Sequence, residues 1–168
     1  VLAQTRYLSR QYAAVVANPP YMGSGNMGND LKKFVNDHYK DGKADLFAAF
    51  IMRTQQFIQH GAMLGMITMQ SWMFLSSYEK LRHSLLRHQQ ITSMLHLGAR
   101  AFDSIGGEVV SSTAFVLGRP ATESFSAIAP RDGVFIRLVD GTSEAEKIAA
   151  TRNALARRDK DSGYYLAS

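Results

Sequence analysis

The order of apolar segments predicts an α/β fold with a mixed, mostly parallel sheet and an antiparallel strand at its end. Between residues 12 and 90, short apolar runs alternate with segments whose apolar residues recur at helical spacing. This alternation is typical of parallel strands covered by helices. Two further apolar runs then follow each other between residues 91 and 118, which indicates an antiparallel hairpin.

Each element is predicted from its own local pattern. The predicted strands, all short apolar runs, cover residues 12–17, 62–68, 91–97, 109–119 and 133–140. The predicted helices cover residues 31–39, 44–60, 76–88 and 143–158. Gly61 is predicted to end the second helix, because glycine tolerates positive φ. Ser76 or Ser77 is predicted to cap the third helix, and Ser143, followed by acidic residues, the fourth.

Composition limits the classes of protein to consider. The chain has 168 residues, 46% of them hydrophobic and 20% charged, which is typical of one globular domain. It has no cysteine, which excludes disulfides and thiolate metal sites and agrees with a reducing cytoplasm. We expect neither export nor a membrane span, since no signal peptide or long apolar run is visible. The net charge of +5 suits a polyanionic partner but is spread along the chain.

The string Asn18-Pro19-Pro20-Tyr21, called the NPPY string below, follows the first predicted strand directly. In sheets of this kind, ligands bind beyond the carboxyl ends of the strands. Pro19 restricts Asn18 to an extended backbone, and the proline pair presents carbonyl groups without N–H donors. The alternative is a purely structural role, an ordinary turn in which Tyr21 covers the edge of the core.

The functional interpretation of this string is a clamp for an amino group. If the Asn18 side-chain carbonyl and the Pro19 backbone carbonyl each accept a hydrogen bond from one planar amino group, its nitrogen lone pair can attack a methyl donor. Tyr21 offers a flat face on which a flipped base can stack.

A strand followed by Asn-Pro-Pro-Tyr resembles the catalytic motif of amino-methyltransferases that use S-adenosylmethionine, above all the adenine-specific DNA methyltransferases. The surrounding segments resemble the catalytic half of the large adenine methyltransferases of BREX phage-resistance systems, over about residues 10–140. These segments are NPPYMGSGNM, KADLFAAFIMR, GAMLGMITMQSWMFLSSYEKLRHSLL and LHLGARAFDSIGGEVVSSTAFVL.

The resemblance implies the C-terminal half of a Rossmann-like methyltransferase fold in residues 1–140, with residues 141–168 as a helical extension. It implies that Asn18, Pro19 and Tyr21 are catalytic, that Pro20 holds the turn, and that Phe102 is a second aromatic against the flipped base. It also implies S-adenosylmethionine as cofactor, with double-stranded DNA and other defence-system subunits as partners. Asn18 is expected to line a cofactor site whose main part lies upstream, so we expect the chain alone to be inactive.

A second string, Gly23-x-Gly25-x-x-Gly28, matches the glycine pattern of dinucleotide-binding loops, with Asp45 near the expected acidic position. That fingerprint requires its first glycine to follow the strand directly, whereas the NPPY string intervenes here. We therefore interpret the glycine string (residues 23–28) as a mobile loop beside the base or DNA.

Several other residues have a functional and a structural interpretation. Lys32 and Lys33 are available to DNA phosphates, or form a solvated helix face. Asp45 is predicted to cap the following helix. Trp72, Phe74 and Tyr78 face a base in the functional interpretation and pack in the core or at its edge in the structural one, which is the commoner role of aromatic residues after a strand. Five histidines show no ligand spacing, so no metal site is expected. Glu108 is expected near the active-site side of the sheet.

The residues leave three functions open. The first is N6-adenine DNA methylation in restriction-modification or phage defence. The second keeps the NPPY clamp but acts on a protein glutamine or a ribosomal RNA base. The third is a non-catalytic piece of a DNA-binding defence complex.

Overall fold

The computed structural model describes residues 2–103, 110–121 and 132–167. Its helices are α1 (Leu2–Leu8), α2 (Asn29–His38), α3 (Leu46–Thr54), α4 (Glu79–His88) and α5 (Glu144–Arg157). Its strands are β1 (Tyr12–Ala17), β2 (Ile58–Met69), β3 (Gln90–Gly98), β4 (Ser112–Gly118), β5 (Gly133–Arg137) and β6 (Tyr164–Ala167). Every predicted strand and helix has a counterpart, whereas α1 and β6 were not predicted.

The strands form one mixed sheet in the order β1-β2-β4-β3-β5-β6, which confirms the α/β class. The pairs β1/β2 and β3/β5 are parallel, and β6 is antiparallel to β5. The predicted hairpin of β3 and β4 is present, but β4 lies inside the sheet and is antiparallel to both β2 and β3. The crossover through α4 leaves a gap of one strand beside β2, and β4 fills that gap.

The main core lies between the sheet and helices α3 and α4 on one face. Residues of β2 alternate between this face and the other, so that Leu64 and Met66 are buried while Met63 is exposed. The apolar run of β1 predicts a buried strand, but its Val16 is 87% exposed. The reason is that successive side chains alternate between the two faces of the sheet: Val15 and Ala17 pack against the main core, whereas Val16 lies on the opposite face and lines an open groove.

The prediction of a helix over residues 44–60 is too long at its end. Helix α3 ends at Thr54, a 3-10 turn follows, and β2 begins at Ile58 because that residue pairs with Tyr12 of β1. Gly61 does have a positive φ of 77°, but it lies within β2, where its N–H donates to the Arg119 carbonyl (3.0 Å). Gly61 therefore belongs to an irregularity of the strand and does not end the helix.

The last helix and strand extend the same sheet. As predicted, the Ser143 hydroxyl caps α5 by accepting from the Glu146 N–H (3.2 Å). The buried Lys147 ammonium donates to the carbonyls of Leu97, Leu138 and Gly141 at 2.7–2.9 Å, which ties α5 to the ends of β3 and β5. The division of the chain at residue 140 stays a prediction.

Candidate active site

The NPPY string leaves the sheet at the carboxyl end of β1. Because β1 and β2 are parallel, the end of β2 at Met69 points to the same edge of the sheet. Pro19 is buried, whereas Asn18 and Pro20 are exposed. A buried proline with fixed φ anchors the turn and leaves the Asn18 side chain accessible beyond the strand.

Tyr21 is held edge-on against the core and is 37% exposed. Its ring meets Phe47 of α3 at a centroid distance of 6.0 Å and an interplanar angle of 83°. Burial raises the pKa of the Tyr21 phenol, and the negative charge of Asp45 raises it further, against the opposing effect of a hydrogen bond with Ser112. The phenol is therefore neutral at neutral pH, and the remaining exposed ring surface carries no charge.

The exposed side of Tyr21 opens into a cleft of about 490 Å³, called the aromatic cleft below. Among the described residues, none of the side chains that line it is charged. They are Tyr21, Met69, Gln70, Ser71, Phe74, Leu75, Val110 and Ser111. Apolar walls with a few polar groups are typical of sites that bind small, flat organic groups.

Asp45 fixes the backbone that follows Tyr21. Its Oδ1 accepts hydrogen bonds from the Met22 N–H (2.9 Å) and from the Phe47 N–H (3.2 Å), so it caps α3 as predicted. The Leu46 N–H also donates to the Met22 carbonyl (3.0 Å). These contacts connect the NPPY string to the first turn of α3, which carries the Phe47 ring beneath Tyr21.

Asn18 borders a different space, an open groove of about 390 Å³ along the sheet. The groove is formed by residues of β1, β2, β3 and β4, among them Val16, Met66, Leu95 and Phe115. No acidic side chain lines it. The described residues here supply an apolar wall and one amide, and no carboxylate for the hydroxyl groups of a ribose.

The structure does not bring Phe102 to the aromatic cleft. Phe102 is exposed and lines neither the aromatic cleft nor the groove beside Asn18. The loop that carries it is attached to α5, since Asp103 Oδ1 accepts from the Glu144 N–H (3.0 Å). Glu108 lies outside the described residues.

The two candidate DNA-contacting lysines differ in their surroundings. Lys33 Nζ lies 2.8 Å from Asp37 Oδ2 on the exposed side of α2, and this hydrogen bond raises the pKa of Lys33. Within the described chain, the Lys32 ammonium forms no ion pair. Lys32 therefore carries the charge that is more available to an anionic partner.

The three aromatic residues after β2 do not share one role. Trp72 and Tyr78 are buried, as predicted: the indole N–H of Trp72 donates to Thr68 Oγ1 (3.1 Å), and Tyr78 packs near Phe47. Phe74, in contrast, is exposed and lines the aromatic cleft. No feature of the sequence distinguishes Phe74 from its two neighbours, because all three are aromatic residues in one short segment.

The described residues lack two kinds of feature, a metal-binding cluster and a membrane-spanning helix. No group of three or more His, Asp or Glu side chains is arranged to hold a metal ion within residues 2–103, 110–121 and 132–167. Across the same ranges, no helix combines the length and the apolar character needed to cross a membrane.

Comparison with protein families identifies what this arrangement belongs to. The family model of the Eco57I restriction-modification methylases matches residues 3–102, a range that contains the NPPY string and all of β1 to β3. This chain belongs to the Eco57I restriction-modification methylase family. The resemblance to adenine methyltransferases drawn from the sequence is thereby confirmed.

Two curated relatives cover most of the chain. It is 44% identical over 146 residues to the adenine-specific methyltransferase BrxX of Escherichia coli O9:H4 (strain HS). It is 45% identical over 148 residues to the adenine-specific methyltransferase PglX of Lacticaseibacillus casei (strain Zhang). These alignments cover 87% and 88% of this chain but 12% of each relative, so the chain spans about 12% of their length.

Solved structures share the fold at low sequence identity. The DrdV–DNA complex superposes with a TM-score of 0.65 at 14% identity, over 97% of this chain and 18% of that one. The type ISP restriction-modification enzyme LlaBIII, bound to DNA, superposes with a TM-score of 0.64 at 13% identity, over 98% of this chain and 12% of that one. A Listeria monocytogenes protein assigned to the class I S-adenosylmethionine-dependent methyltransferases superposes with a TM-score of 0.59 at 14% identity, over 88% of this chain and 42% of that one. These likenesses confirm the expected Rossmann-like methyltransferase fold.

Proposed function

We propose that this chain carries the catalytic face of an N6-adenine DNA methyltransferase that acts in restriction-modification or phage defence. One observation supports this proposal most strongly. In a chain of the Eco57I family, the NPPY string lies at the carboxyl end of a parallel strand, and its Tyr21 lines a cleft whose described side chains are uncharged. The substrate is an adenine that has been flipped out of double-stranded DNA.

Asn18 and Pro19 hold the amino group that reacts. The side-chain carbonyl of Asn18 and the backbone carbonyl of Pro19 each accept one hydrogen bond from the adenine amine. Both acceptors stabilise the positive charge that develops on nitrogen as it forms its bond to carbon, and no strong base is needed. The exposure of Asn18 leaves its amide free to meet this amine. The product amine then releases one proton to water.

Tyr21 positions the ring of the base. Its neutral phenol ring is fixed by Phe47 on one side and is exposed to the aromatic cleft on another. Stacking on an aromatic side chain contributes about 1–3 kcal/mol per base in single-strand binding proteins. Pro20 holds the turn between the clamp and this ring. Phe102 lies outside the aromatic cleft in this structure, so its contact with the base stays a prediction from its position after the third strand.

S-adenosylmethionine, when bound, would supply the methyl group as a sulfonium electrophile; its sulfur–methyl bond would break as the nitrogen–methyl bond forms, and neutral S-adenosylhomocysteine would leave. The described residues fit this cofactor in part: Asn18 and the apolar groove beside it supply one wall. No carboxylate of the described residues lines that groove, whereas one usually holds the ribose hydroxyls. We therefore assign the larger part of the cofactor site to residues beyond this chain, and the positioning of the amine to Asn18.

DNA is the proposed macromolecular partner. Lys32, and Lys33 after release of Asp37, are available to phosphates from the exposed face of α2. Further defence-system subunits complete the assembly, and the reaction takes place in the cytoplasm.

The decisive experiment measures methyl transfer to adenine with the protein expressed from its own gene. DNA without N6-methyladenine is incubated with the protein and methyl-labelled S-adenosylmethionine, then digested to nucleosides and separated by mass. We expect labelled N6-methyladenosine with the wild type. We expect Asn18→Ala to lower its rate of formation by about 10²–10³-fold, as expected when one group that stabilises transition-state charge is removed.

A matched control separates this loss from a change in stability. Asn36, on the exposed side of α2, donates only to the Lys32 carbonyl (2.9 Å), so Asn36→Ala makes the same substitution far from the strand end. It should methylate at the wild-type rate. Equal rates for wild type and Asn18→Ala would overturn the clamp. If label is found in protein glutamine or ribosomal RNA and none in DNA, the substrate is that protein or RNA and not adenine in DNA. If no substrate is labelled, the result favours a non-catalytic piece of a defence complex.

A further inference from the structure

Phe74 is exposed in a way that packing does not explain. Its ring is 59% exposed, although it belongs to a short aromatic segment whose other members, Trp72 and Tyr78, are buried. The neighbouring Leu75 is also exposed, so two large apolar side chains meet solvent together. Exposure of a continuous apolar surface is unfavourable in water and commonly marks a place where a ligand binds.

The turn that carries Phe74 is held firmly. The N–H groups of Phe74 and Leu75 both donate to the Ser71 carbonyl, at 3.2 and 3.0 Å. The guanidinium of Arg82, on α4, donates to the carbonyls of Trp72 (2.8 Å) and Leu75 (2.6 Å). Four hydrogen bonds thus fix the backbone on either side of Phe74. Its exposure is consequently a property of the folded turn.

A second group of contacts supports the Phe74 ring from the sheet. The His96 imidazole on β3 lies 5.6 Å from it, centroid to centroid, at an interplanar angle of 43°. His96 Nε2 donates to Gln70 Oε1 (2.7 Å), which fixes both side chains. Burial, and then the charges of Arg137 and Lys147, lower the pKa of His96, so the imidazole is neutral at neutral pH. Neither partner places a charge beside Phe74.

Phe74 also lines the aromatic cleft, which it shares with Tyr21 and Gln70. The described lining of this cleft has two aromatic side chains and no charged one, which suits a flat, uncharged, conjugated ring. We propose that Phe74 is a second base-contacting residue, which packs on the flipped adenine together with Tyr21. This inference rests on the proposed function. His96 is a positioning residue that acts through Phe74 and Gln70.

The test compares substitutions of Phe74 that keep or remove an aromatic face, in the protein expressed from its own gene. The readout is kcat/KM for formation of N6-methyladenosine in DNA. We expect Phe74→Ala and Phe74→Leu to lower kcat/KM about tenfold or more, because neither side chain can stack on a base. Phe74→Tyr should restore it to within about twofold, since the aromatic face is kept. Leucine preserves the apolar character of the site, so a thermal unfolding midpoint unchanged from wild type is expected for Phe74→Leu.

The chain offers a matched control in Phe34. It is 51% exposed on α2 and also lies against a histidine ring, that of His38, at 4.5 Å, but it lines neither the aromatic cleft nor the groove beside Asn18. Phe34→Leu should leave kcat/KM unchanged. The His96→Leu variant should follow Phe74→Leu in kcat/KM, and the double variant should add little to either one.

The outcomes distinguish this inference from the proposed function. If the wild type methylates adenine and Asn18→Ala does not, while Phe74→Leu keeps wild-type kcat/KM, the inference about Phe74 is overturned and the function stands. Equal losses for Phe74→Leu and Phe34→Leu, or no restoration by tyrosine, would overturn it as well. Absence of adenine methylation by the wild type would instead overturn the function on which it rests.

Discussion

The NPPY string and the glycine string are adjacent in the chain, and both match sequence patterns of binding or catalytic sites. The NPPY string begins where β1 ends, and its Tyr21 faces a cleft. The glycine string continues from it towards α2, and Gly23 forms an isolated bridge with Asp45. Within the described chain, positive φ among glycines occurs at positions 61, 98 and 163, none of which belongs to this string.

The two strings differ in whether their surroundings in the structure require the residue types found there. A dinucleotide loop uses glycine because the turn and the pyrophosphate leave no room for a side chain. A Cβ atom at Gly25 or Gly28 would meet nothing within 4 Å, and one at Gly23 would only reach Asp45 Oδ2 at 3.9 Å. In the NPPY string, by contrast, the buried Pro19 and the partly buried Tyr21 have defined surroundings. A match to a motif's residue spacing therefore indicates a functional site only where the motif directly follows the end of a strand.

The largest difference between the two strings is expected from Tyr21. Tyr21→Ala removes the stacking face and should lower kcat/KM for adenine methylation by about 10–100-fold, whereas Tyr21→Phe should keep most of it. Tyr165 on β6 has the same exposed fraction, 37%, so Tyr165→Ala controls for the loss of an exposed tyrosine. Initial rates over a range of DNA concentrations measure the effect. Equal effects of Tyr21→Ala and Tyr165→Ala would show that Tyr21 has no special role.

The elements that sequence patterns predicted are those with a strong local signal. Strand β1 ends just before the NPPY string, and α5 begins directly after its cap Ser143 with acids in its first turn, and both boundaries were predicted closely. The end of α3 was not, because residues 58–60 are drawn into β2 by pairing with β1, a contact between distant parts of the chain. The place of β4 between β2 and β3 likewise depends on the whole sheet.

In the candidate site, too, residues with a local sequence signal could be predicted, whereas those positioned by contacts between distant parts of the chain could not. Asn18 and Tyr21 could be proposed because four adjacent residues carry the signal. Phe74 could be named only together with Trp72 and Tyr78, because its exposure depends on how the turn after β2 is held by Ser71 and Arg82. Gln70, which directly follows β2, and His96 of β3 form a hydrogen bond although they are 26 residues apart in sequence. Neither hydrophobic periodicity nor a short motif predicts a contact of this kind.

An intermediate effect is expected from Asp45, which connects the two strings. Asp45→Ala removes the cap of α3 and the acceptor of the Met22 N–H, and should lower the free energy of unfolding by about 2 kcal/mol. Asp37→Ala is the control, because Asp37 only pairs with Lys33 on an exposed helix face and should change stability little. Urea unfolding of both variants measures the difference. Equal stability of the two variants would mean that Asp45 does not hold the strings together.

The smallest effect is expected from the glycine string itself. Gly25→Ala places a methyl group in open space and outside the left-handed region of φ, so neither strain nor a clash arises. Alanine also restricts the unfolded chain, so the free energy of unfolding should rise by about 0.4–1 kcal/mol. The rate of adenine methylation and the KM for S-adenosylmethionine should stay at wild-type values. A tenfold or greater rise in that KM, without loss of stability, would show that this loop approaches the cofactor as a dinucleotide loop does, and the distinction between the two strings would fail.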